Sequence, residues 1–141
     1  MVSQLEEAIT RHSRRATGTS TGLAFLGLLT ADIIMKLAGF KRLYRTVKWW
    51  PLAQATADDK YTIANVCAAV DRAAIYYPKE ALCLQRSAVV TCLLRRKGVK
   101  AQMVIGCRKI PFKGHAWVEV DGVPVNGDEN VLGFYDVLTR C

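Results

Sequence analysis

A thiol and an imidazole set in suitable contexts are the minimum parts of a cysteine nucleophile, and Cys83 and His115 have those contexts. Cys83 sits where a loop broken by Pro78 gives way to an apolar helical pattern, and His115 opens an alternating segment further along. At a helix start the unpaired backbone N–H groups and the positive end of the helix dipole favour a thiolate. An imidazole on a rigid strand can take or hold the thiol proton. Taken singly, each residue reads more simply as a packing cysteine or a satisfied strand histidine; their order and settings together point to catalysis.

The segment HAWVEV alternates with period two, and AspGly at 121 and 122 is a strong signal for a two-residue hairpin into VPVN. Such a hairpin sets Val120 against Val123, Trp117 against Asn126 and His115 against Asp128. A carboxylate or amide that accepts from the imidazole N–H fixes its tautomer and completes a triad. Asp128 falls directly across from His115, with backbones about 5.5 Å apart, and Asn126 lies on the diagonal at about 7 to 8 Å. Asp121 is roughly 20 Å along the strand and out of reach. Pairing favours Asp128, and Asn126 stays open as the alternative. Pro124 cannot donate to a ladder, so this return strand is expected at an edge.

The positioning elements follow from periodicity and punctuation. The run CLQRSAVVTCLLRRKG, apolar nearly all round, is expected to form a helix from near Leu82 to Gly98 through the middle of the domain, with Arg95, Arg96 and Lys97 in its last turn. Apolar residues at Ile63, Val66, Cys67, Val70, Ala73 and Ala74 mark a helix that begins at Asp58 or Asp59 and stops before Pro78. Gly22 to Phe40 approaches a bilayer span in length, but Asp32 and Lys36 interrupt it. It reads as a buried or partner-docking amphipathic helix with an N-cap near Ser20 or Thr21. KRLYRTVKWW, ended by Pro51, reads as a solvated helix end with Trp49 and Trp50 tucked into the core, with a basic and aromatic binding patch as the alternative. After Gly98, Ala101, Met103, Ile105 and Cys107 share one strand face.

The chain has 141 residues, enough for one domain with a real core. Its 20 Lys and Arg against 12 Asp and Glu give a net charge of +8 and a surface that attracts acidic partners. No zinc-finger spacing or aromatic-interleaved basic repeat points to nucleic acid. Five cysteines, without a CxxC pair or an evident signal peptide, suggest reduced thiols and a cytoplasmic protein. Cys67, Cys92 and Cys107 read as small hydrophobes. His12 and His115 lack ligand-spaced neighbours, so no metal is expected.

The stretches ALCLQRSAVVTCLLRRKGV at 81 to 99, MVIGCRKIPFKGHAWVEVDGVPVN at 103 to 126 and YDVL at 135 to 138 resemble the leader peptidases of lasso-peptide biosynthesis, within the transglutaminase-like cysteine proteases. That resemblance implies an α+β fold, with a helical N-terminal half packed on a small antiparallel sheet around a papain-like core. Residues 1–50 would be a basic partner-docking part and 51–141 the catalytic core of one domain. It implies further that Cys83 attacks the bond joining leader to core, with His115 as acid and base and no cofactor or metal. The partners would be the precursor's leader, a separate leader-recognition protein and the ATP-dependent cyclase that closes the macrolactam. Membrane contact would be peripheral at most. Where that family commonly has Asp after the return-strand Asn, this chain has Gly127 and then Asp128. Arg86 is expected to pair with a buried carboxylate or position the leader, and Glu119 to line the sheet. An acyltransferase passing the thioester to an amine, and a non-catalytic peptide-binding module, are the competing readings.

Overall fold

A computed structural model describes residues 2–4, 20–54, 60–78, 83–127 and 130–141. Helices α1 (Thr21–Lys48), α2 (Lys60–Tyr76) and α3 (Cys83–Arg96) precede the strands β1 (Ala101–Lys109), β2 (Phe112–Val120) and β3 (Val123–Pro124). A single helical turn, α4 (Val131–Phe134), leads to β4 (Asp136–Arg140). The sheet is antiparallel in the order β3-β2-β1-β4, so Pro124 does lie in an edge strand. The fold is α+β, with the helices packed on one face of this sheet.

Ser20 caps α1 by accepting the Leu23 N–H at 3.1 Å. The expected helix and the basic stretch after it form one run, broken at Gly39, whose φ of 77° interrupts the helical backbone. By length and composition α1 is long enough and apolar enough to cross a membrane. It nonetheless gives Ala24, Leu28 and Ala31 before the break, and Leu43 and Val47 after it, to the core. Helix α1 and the elements that follow it therefore share one core. The expectation for the tryptophans is corrected. The helix ends at Lys48, and Trp49 is 77% exposed with Trp50 also exposed, because the chain leaves α1 away from the core.

Helix α3 occupies the centre, with Ser87, Ala88, Val89, Val90, Thr91, Leu93 and Leu94 all buried. It rests on the sheet face made by Ala101, Met103, Val118 and Val120. The opposite face carries a second, smaller cluster of Val104, Trp117 and Val131, flanked by Tyr135 and Val137. Alternation along the strands produces this division, since side chains at successive positions leave the sheet on opposite sides. β4 is not legible from periodicity; its exposed and half-buried residues carry too little apolar contrast.

The β2–β3 turn has the expected chemistry, with φ of 52° at Asp121 and 77° at Gly122. Its ladder pairs Val120 with Val123 and Glu119 with Pro124, and the Val125 N–H adds a bond to the Val118 carbonyl at 2.9 Å. There it stops. The continuation expected at Trp117 and Asn126 does not form. The Asn126 side chain, in place of a backbone carbonyl, accepts the Val118 N–H at 2.7 Å, and Gly127 adopts φ of 83°. Asp128, the expected partner of His115, lies outside the described residues.

Glu119 is 1% exposed and does line the sheet, where it accepts the Trp117 indole N–H at 3.0 Å and the Arg140 guanidinium at 3.1 Å. Arg86 pairs with Asp71 of α2, a solvent-exposed carboxylate, which corrects the expectation of a buried partner. A Cβ at Gly106 would meet the Trp117 ring at 2.7 Å and the Asp136 carbonyl at 2.9 Å. Gly106→Ala should therefore destabilise the chain by about 1–3 kcal/mol in urea denaturation. Gly133→Ala, where a Cβ meets nothing within 4 Å, should have little effect, and equal effects would contradict this packing.

Candidate active site

Cys83 is the first residue of α3 and half-buried. Two side chains anchor the helix to the sheet. The Ser87 hydroxyl donates to the Ala116 carbonyl at 3.1 Å, and Arg95 Nε donates to the Ala101 carbonyl at 2.9 Å, Ala101 being paired with Val120. Ser87 to Arg95 rises about 12 Å as helix, and Ala116 to Val120 about 13 Å as strand, so α3 and β2 run side by side. One turn back from Ser87, about 6 Å, brings Cys83 level with Gly114, the neighbour of His115.

The His115 side chain leaves β2 on the face opposite α3. Its ring stacks with Trp117 at 6.0 Å between centroids and tilts against Tyr135 at 5.1 Å, and the two aromatic rings meet each other at 6.3 Å. Trp117 is held in turn by Glu119 and Arg140. Burial among these rings, and secondarily the charge of Lys113, pushes the imidazole below its usual value of 6.5, so the neutral form is favoured. No hydrogen bond joins Cys83 to His115 among the described residues. Helix rise and strand register set the two on opposite faces at a similar level of β2, beyond the last described β3 pairing.

Asn126 is not brought to His115. Its Oδ1 is taken by the Val118 N–H, and its Nδ2 donates to Ser87 Oγ at 3.4 Å. Through Ser87 this amide ties the hairpin to α3 one turn from Cys83. Among the other thiols, burial pushes Cys67 up to about 11, with Asp71 adding to the shift, and burial pushes Cys92 up to about 12. Burial raises Cys141 as well. These three are poor nucleophiles at neutral pH. The described residues contain no group of three or more His, Cys, Asp or Glu arranged to hold a metal. Periodicity alone did not reveal Ser87, Trp117 and Tyr135 as positioning residues, because each reads as ordinary core or loop.

The chain is 39% identical over 58 residues to the microcin J25-processing protein McjB of Escherichia coli. That match covers 41% of this chain and 28% of the relative. No solved structure matches. The sequence pattern of the transglutaminase-like superfamily fits residues 25–139, nearly the whole of the helical layer and sheet described above, and the chain belongs to that superfamily.

Proposed function

We propose that the chain is a cysteine peptidase that removes the leader from a lasso-peptide precursor in the cytoplasm. The observation that supports this reading is Cys83 at the head of a packed helix, which helix rise and strand register set near the level of His115, beyond the last described β3 pairing. Similarity to a protein named for microcin J25 processing supports the substrate class.

The chemistry follows from the groups present. Neutral His115 accepts the Cys83 proton after turning about its side-chain bonds toward the open edge, a movement of the kind catalytic groups make when substrate completes the site. The sulfur attacks the carbonyl carbon of the leader–core bond, and the imidazolium gives its proton to the departing core amine. Water, deprotonated by the same imidazole, then hydrolyses the leader thioester. The Cys83 backbone N–H at the start of α3 is suited to the developing oxyanion. Asp128 orients the imidazole, while Asn126 braces the hairpin. The exposed Leu26, Ile33 and Leu37 of α1 offer a surface for a leader-recognition protein, which would pass the product on to a cyclase.

Cys83→Ala and His115→Ala should each lower cleavage of leader–core junction peptides, the microcin J25 precursor among them, by about a thousandfold or more. Mass spectrometry reads the result. Two hydrolysis fragments support a peptidase, a product joined to an added amine indicates acyl transfer, and processing that survives Cys83→Ala rejects the nucleophile. Asp128→Ala should reduce turnover without a matching loss of stability. Asn126→Ala, which strands the Val118 N–H, should cost about 1–3 kcal/mol in thermal denaturation.

The pH dependence has a defined sign. Because His115 binds its proton less readily when folded, the base form persists below pH 6.5 and the acid limb of kcat/KM should lie there. Unfolding should become easier as pH falls below that value, where the unfolded chain binds more protons. Lys113→Glu replaces a repelling charge with an attracting one and should move the acid limb upward; a downward shift would contradict the assignment.

A further inference from the structure

We infer that the substrate backbone binds as an added strand along the open edge of β2, across Gly114, an inference that rests on the peptidase reading above. The orientation of the edge groups follows from the hairpin. Val118 turns both its N–H and its C=O toward β3, to Asn126 and Val125. The register of β2 with β1 runs unbroken from Val120 to Phe112, so alternate residues repeat that orientation. Ala116 and Gly114 therefore direct their backbone groups to the same side, where the β3 ladder has ended. The Ala116 carbonyl is taken by Ser87. Among the described residues, the Ala116 N–H and both backbone groups of Gly114 have no backbone partner on that side, which makes them a short template.

Gly114 itself points to an approaching chain. A glycine inside a strand weakens it, and among the described residues nothing requires one here. Its φ is not left-handed, and a Cβ would meet nothing within 4 Å, unlike Gly106 on the facing strand. The bare Cα lies on the α3 side, level with Cys83, where a peptide leaving the edge must pass to present its carbonyl to the sulfur. Strand addition of this kind draws its affinity from main-chain bonds and so tolerates varied side chains. The exposed Phe112, one alternate position further along on the same face, is placed to contact one of them.

The experiment uses the full chain and whichever junction peptide is cleaved fastest, remade with a single N-methylated amide at each position in turn. Steady-state cleavage is measured with the native chain, and binding by fluorescence anisotropy with Cys83→Ala. N-methylation should weaken binding about tenfold or more at alternate residues, those whose N–H faces β2, and leave the intervening ones unchanged. Gly114→Val should raise KM about tenfold with an unaltered or higher melting temperature, since a β-branched residue suits a strand. Cleavage with a flat N-methyl profile and an unchanged KM in Gly114→Val would overturn strand addition while leaving the peptidase intact. Absence of cleavage for every junction peptide would remove both.

Discussion

One contact between helix and strand sets the geometry on which the site depends. Ser87, buried in α3, spends its hydroxyl proton on the Ala116 carbonyl, and the Asn126 amide closes on the same hydroxyl from the hairpin. A buried hydroxyl left without partners is costly, so the three groups hold one another in register. That register decides how far the first turn of α3 extends beyond the sheet, and therefore where the Cys83 sulfur lies relative to His115.

The same hairpin ends its regular pairing early. A regular return strand would cover β2 as far as His115 and shut the imidazole away from the helix side. Asn126 interrupts that pairing by offering a side-chain oxygen in place of a backbone carbonyl, and Gly127 follows with a φ of 83°. On the far face, Arg140, Glu119 and Trp117 form a bonded series ending at the His115 ring. The imidazole is thus supported on that face by aromatic packing.

Much of this was legible from residue patterns because it rests on local rules. The N-cap at Ser20, the end of α2 ahead of Pro78, the buried character of α3 and the AspGly turn all follow from neighbours in sequence. What escaped depends on distant partners. Alternation placed His115 and Trp117 on one face, but the end of the β3 ladder reflects competition between an Asn126 side chain and a backbone carbonyl, which no period reports. Trp49 and Trp50 were misplaced for a related reason: apolar size suggests burial, whereas the direction in which a chain leaves a helix decides it.

The most direct measurement is a trapped intermediate. Rapid acid quenching of the native chain during turnover of a precursor, followed by intact-mass analysis and peptide mapping, should show the leader joined as a thioester to Cys83. Leader found on Cys107, or product accumulating through many turnovers with no acyl-enzyme detected at any quench time and unaffected by Cys83→Ala, would contradict a nucleophile at the head of α3.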